Sequence, residues 1–114
     1  MKRPLLTFLL ILLIPLTCAS QQLQADYVLV KKAVRTLFLL KNNQVIKSYR
    51  ISLGKSPVGM KIKRGDNKTP EGLYNIDFKN RQSKYHLSLH ITYPNKHDIK
   101  RSLEHNVDPG GRIY

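Results

Sequence analysis

Three residues of the stretch HLSLHITY could do chemistry: His86, Ser88 and His90 alternate with leucines along one predicted strand face. Two imidazoles four residues apart on a strand lie about 13–14 Å apart, too far to chelate one ion together. A zinc site would need further ligands, and no cysteine or clustered carboxylate supplies them. Ser88 has neighbouring same-face residues nearly ~7 Å away and no strained strand-to-helix elbow, so it does not read as a nucleophile. A polar strand face, with His90 lining a cleft, accounts for these residues better. The single thiol, Cys18, lies near the start of the chain. The segment GKSPVGMKIKRG has glycines and lysines but neither the spacing nor the strand-to-helix setting of a phosphate loop. Arg64-Gly65-Asp66 matches an adhesion tripeptide, as does any Gly-Asp turn after a basic residue. Asn67-Lys68-Thr69 matches a glycosylation acceptor but runs directly into Pro70. No pair of carboxylates suits acid–base work, and the residues read alone contain no catalytic constellation.

The first twenty residues have another purpose. Met1-Lys2-Arg3 is a positive flank, Leu5 to Ile14 is apolar except for Thr7, and small or polar residues follow Pro15. That is the layout of a secretory signal, and the run is about half the ~20 residues a membrane helix needs. Residues 1–20 are therefore read as a signal peptide, with cleavage after Ala19, Ser20 or Ala25 left open. Cys18 could instead be the lipid-bearing residue of a lipoprotein, although Pro15 and Thr17 fit that signal poorly. The chain has 20 Lys+Arg against 7 Asp+Glu. Removing residues 1–20 takes away Lys2 and Arg3 and leaves one small domain that is still strongly basic. An exported basic surface suits anionic polymers of the cell envelope better than nucleic acid.

Positioning elements follow from the periodicity. Tyr27–Val30 and Thr36–Leu40 read as strands. Lys41–Gln44 is turn chemistry, and Val45, Tyr49, Ile51 and Leu53 alternate with Ser48, Arg50 and Ser52, Lys47 breaking the series. Residues 54–72 are a loop punctuated by glycine and proline. Leu73–Phe78 alternates again, with Tyr74, Ile76 and Phe78 on one face, and Lys79–Lys84 is a polar connection. One helix is predicted, with Asn95 as N-cap, Asp98 in its first turn, an apolar stripe of Ile99 and Leu103 continued by Val107, and an end at Asn106 and Pro109. The fold class is mainly β with one helix (α+β).

Four stretches, ADYVLVKKAVRTLFLLKNNQVIKSYRISLG, GDNKTPEGLYNID, SKYHLSLHITYPN and DPGGRIY, together resemble the L,D-transpeptidase catalytic domain of bacterial cell walls. The likeness is to the YkuD type, in its murein branch from Gram-negative bacteria. It covers the chain from about Ala25, and residues 26–114 are read as a domain of this type, incomplete at its C-terminal end. The resemblance implies a β-sandwich or barrel fold. It also implies cysteine acyl transfer: a thiolate attacks the third residue of a peptidoglycan tetrapeptide stem and expels the terminal D-alanine. An amine of another stem, or an envelope lipoprotein, then takes the acyl group. It calls for no cofactor and no metal. In the family the strand after Pro-Gly-Gly continues into a His-Gly pair, and a Ser/Thr-x-Gly-Cys segment follows. Both are expected beyond Tyr114, so no catalytic residue is assigned here and the chain is expected to be inactive alone.

The resemblance carries over scaffold: Thr69, Pro70, Glu71 and Gly72 match the family's turn, His90, Tyr93, Pro94 and Asn95 its strand-to-helix corner, and Gly110 and Gly111 its last corner. Face assignment makes His90 and Tyr93 the candidate borders of the substrate cleft. Two competing readings are an exported basic domain that binds anionic envelope polymer without catalysis, and a remnant without function.

Overall fold

The computed structural model describes Cys18, Gln22 and residues 24–114; the signal-peptide reading of residues 1–20 falls almost entirely outside them. Six elements follow one another: β1 (Tyr27–Lys31), β2 (Thr36–Lys41), β3 (Gln44–Arg50), β4 (Ile76–Ser83), β5 (His86–Ile91) and the helix α1 (Lys96–Glu104). The chain is mainly β with a single helix. The first three strands form an antiparallel sheet in sequence order, and β4 and β5 form a two-stranded antiparallel sheet.

The β2–β3 hairpin turns on Asn42 and Asn43, whose φ angles of 50° and 62° are the left-handed values that asparagine tolerates. A bulge corrects the expected alternation of β3. Leu39 pairs with Lys47 while Leu40 pairs with Val45, leaving Ile46 as the extra residue. Leu39 and Leu40 point to opposite faces, so Val45 and Tyr49 do not share one. The break noticed at Lys47 is this change of phase.

The second sheet departs from expectation in the same manner. Ile76 pairs with Ile91 and Phe78 with His90, so the bulge between them puts Ile76 and Phe78 on opposite faces. Residues 79–83, expected to be a polar connection, continue β4 to Ser83. Backbone pairing outweighs side-chain polarity there, because charged residues are at home on an exposed strand. His86 has φ 82° at the hairpin's end, which breaks the regular face it was expected to share with Ser88 and His90.

Helix α1 starts as expected. The Asn95 side chain accepts from the backbone N–H groups of His97 (2.9 Å) and Asp98 (3.0 Å), and Asp98 Oδ2 accepts from Asn95 N (2.9 Å), a reciprocal capping box. Its seated face, however, is polar. Asp98 and Ser102 are buried, while Ile99 and Leu103 are exposed. Hydrogen bonds at the cap orient this helix, and its apolar stripe faces outward.

The loop of residues 54–72 folds around Asp66. Its carboxylate accepts from Lys61 Nζ (2.8 Å) and from the backbone N–H groups of Ile62 (2.9 Å), Lys63 (3.1 Å) and Lys68 (3.2 Å). Burial alone would raise the Asp66 carboxyl. The Lys61 ammonium and the three amides outweigh it and hold the group well below the usual carboxylate range. This arrangement removes the adhesion-tripeptide alternative, since the carboxylate of Arg64-Gly65-Asp66 is turned inward. Asn67 and Lys68 run so close to Gly54 that a Cβ there would collide with the Asn67 carbonyl. Tyr93 is the one buried apolar residue among those described.

Candidate functional site

The turn Thr69-Pro70-Glu71-Gly72 is held by a lysine that no sequence pattern singles out. Lys32, in the turn after β1, donates to the carbonyls of Gly59 (2.9 Å) and Thr69 (3.0 Å) and to Glu71 Oε1 (2.9 Å). Three acceptors use all three N–H bonds of an ammonium, so Lys32 acts as a clamp. Thr69 Oγ1 accepts from Gly54 N (3.0 Å) and closes the loop on itself. Beside the clamp lies a hollow of about 320 Å³ lined by residues that include Arg35, Leu53, Pro57 and Val58.

The turn feeds directly into Tyr74, whose hydroxyl donates to the Asp98 carboxylate (2.9 Å to Oδ2). Asp98 thereby ties the turn before β4 to the start of α1, where Arg101 also donates to it (3.1 Å) and Asn95 caps against it. Burial and the neighbouring Asp98 push the Tyr74 phenol up. The Tyr93 ring sits 6.0 Å from that of Tyr74, centroid to centroid, and the Tyr93 hydroxyl donates to the carbonyl of Pro109 (2.8 Å). Burial, then the charges of Asp98 and Asp66, push the Tyr93 phenol up to about 12. Tyr93, expected to border a cleft, is thus enclosed at the joint between the strand-to-helix corner and the last corner; the Tyr93–Pro94 bond is cis.

His90 lies apart from that joint. Its Nδ1 is 2.6 Å from Asp77 Oδ1, and its ring meets that of Tyr114 edge-on with centroids 5.2 Å apart. An ionised carboxylate only accepts, so Nδ1 carries a hydrogen and Nε2 remains for other contacts. Asp77 is the extra residue at the bulge of β4, between the Ile76–Ile91 and Phe78–His90 pairs, and its carboxylate still reaches His90.

Gly110 and Gly111 form the last corner. Asp108 Oδ1 accepts from Gly110 N (2.8 Å), and Asp108 Oδ2 accepts from Arg64 Nε (2.9 Å). Gly110 has φ 77°, and a Cβ there would press on Arg64. Beyond the corner the chain turns alongside β5: the Ile91 N–H donates to the Ile113 carbonyl (3.1 Å). The four stretches singled out in the sequence therefore meet through Lys32, Tyr74, Asp98, Tyr93 and Arg64. Of these, Lys32 and Arg64 gave no linear signal of their role. The described residues contain no group of three His, Cys, Asp or Glu placed to hold a metal. They also contain no helix long and apolar enough to cross a membrane.

Residues 25–114 match the model of the YkuD family, the L,D-transpeptidase catalytic domain, and the chain belongs to that family. It is 33% identical over 93 residues to YafK of Escherichia coli K12, a protein named as a candidate L,D-transpeptidase, and equally to YafK of strain O157:H7. The match covers 75% of this chain and 38% of each relative, so the chain aligns with well under half of their length. No solved structure gives a significant match.

Proposed function

We propose that this chain is the front portion of a peptidoglycan L,D-transpeptidase domain. It positions the strand on which acyl-transfer chemistry takes place, while residues following Tyr114 supply the nucleophilic cysteine and its histidine. The carrying observation is the Tyr93–Pro109 hydrogen bond together with the Ile91–Ile113 pairing. These two contacts lay the residues after Gly111 beside the end of β5, and in the family that stretch continues into its His-Gly pair. A thiolate acting on a stem peptide needs a nearby base and oxyanion donors. Cys18 is exposed, precedes every strand, and lacks the Gly-Cys setting. The acceptor of the acyl group is either an amine of a second stem or an envelope lipoprotein, and residues 1–20 direct export to the periplasm or envelope.

The test is an assay with a disaccharide-tetrapeptide. The 114-residue chain is expected to release no D-alanine and to form no thioester. A fusion that continues from Tyr114 into the matching region of Escherichia coli YafK is expected to do both. Turnover by the 114-residue chain alone, or none by a folded fusion, would overturn the proposal.

The charge balance favours a second reading, in which the exported chain binds anionic wall polymer without catalysis. Retention on purified sacculi that is lost at high salt, with a fusion that stays inactive, would favour it over the first.

A further inference from the structure

The corner at residues 108–112 holds a basic hollow that none of the contacts above fills. About 370 Å³ in volume, it is lined by Arg64, Gly110, Gly111 and Arg112. Arg64 is engaged with Asp108 through Nε alone and its side chain is 72% exposed, so both terminal amino groups of the guanidinium stay open. Arg112 is exposed and has no ion-pair partner among the described residues. The nearby carboxylates cannot neutralise it. Asp66 is enclosed by Lys61 and three amides, and Asp108 is taken by Arg64 and the Gly110 N–H. The backbone adds donors. Gly110 and Arg112 both have left-handed φ, 77° and 53°, and the N–H groups of Gly111 and Arg112 donate to no described residue. Beside Gly111 there is open space, since a Cβ there would meet nothing within 4 Å.

We propose that this hollow binds a carboxylate of the substrate, with Arg112 and the terminal amino groups of Arg64 as its charged donors and the amides of Gly111 and Arg112 completing the cradle. Guanidinium groups present paired N–H donors that match the two oxygens of a carboxylate, which a lysine cannot do. The identity of the ligand as a wall stem peptide, whose termini and side chains carry carboxylates, rests on the function proposed above. The hollow lies at the corner that leads into Ile113 beside β5, so a carboxylate held here would fix one end of a stem relative to β5.

The test follows the Gly111 and Arg112 amide resonances of the full chain during titration with N-acetyl-D-alanine and, separately, with its primary amide at matched ionic strength. Saturable shifts are expected with the acid and none with the amide. Arg112→Gln, at an exposed and unpaired position, is expected to weaken the acid about tenfold, the size of one charge-assisted contact. Equal shifts with acid and amide, no saturation, or tighter binding of inorganic phosphate than of the acid would overturn the carboxylate site. A tetrapeptide stem separates this proposal from the functional one. If N-acetyl-D-alanine binds and the stem does not, the site stands and the wall substrate falls. If the stem binds wild type and Arg112→Gln equally, the site falls and the wall substrate stands.

Discussion

Asp98 and Tyr93 hold the joint of this molecule with polar atoms. Asp98 accepts from Tyr74, Asn95 and Arg101 while almost wholly enclosed, so its removal strands several donors at once. Asp98→Ala is expected to lower the local opening free energy of α1 by about 2–3 kcal/mol, read from amide exchange at residues 99–104. Retained protection there would show that the helix is held by something else. Tyr93 has a pH signature. Its phenol, pushed from 10 to about 12, binds its proton more tightly when folded. The stability this contributes is complete below pH 10 and is lost as pH rises from 10 through 12. Tyr74, pushed up as well, acts in the same direction. Unfolding measured against pH, alongside tyrosinate absorbance, should show a smaller alkaline loss in Tyr93→Phe than in wild type. His90 was legible as a polar strand residue, but its partner Asp77 was not, because alternation along each strand leaves the register between the two strands unspecified.

At the scale of elements, the loop of residues 54–72 is ordered around a single carboxylate. Lys61 and Asp66 have side chains 8% and 6% exposed, and the rest of the turn hangs on the amides that Asp66 accepts. Removing one partner of an enclosed pair leaves the other uncompensated, a loss of about 3–5 kcal/mol. Asp66→Ala is expected to abolish exchange protection at Ile62, Lys63 and Lys68, whose acceptor it removes, and adding Lys61→Met is expected to recover part of the lost stability but not that protection. Since the carboxyl is held low, loop order is present above the ordinary carboxylate range and fades only as pH falls through the lowered value. The strands, by contrast, were mostly legible: β2, β3 and their Asn-Asn turn follow from propensity and period. All three register shifts escaped, as did the extension of β4 through Asn80 and Arg81, because pairing with β5 decides strand length there.

Over the described residues as a whole, apolar side chains outnumber the places to put them. Phe78, Leu87, Leu89, Ile99 and Leu103 are all exposed, while Tyr93 is the buried apolar residue. Exposed apolar side chains in this number favour association. The chain by itself is expected to bind a hydrophobic dye and to elute at an apparent mass that rises with concentration. A monomer that melts in one sharp, reversible transition would contradict this. Taken alone, the sequence determined the class of fold, the order of strands and helix, the Asn95 cap and the family. These depend on local propensity, period and short motifs, which are properties of neighbouring residues. Tertiary structure decided which face of the helix is seated, where the bulges fall, and that Lys32, Tyr74, Asp98 and Arg64 join turns separated by up to 44 residues. Those contacts depend on the chain's path through space, and a hydrogen bond between distant loops leaves no period in the sequence.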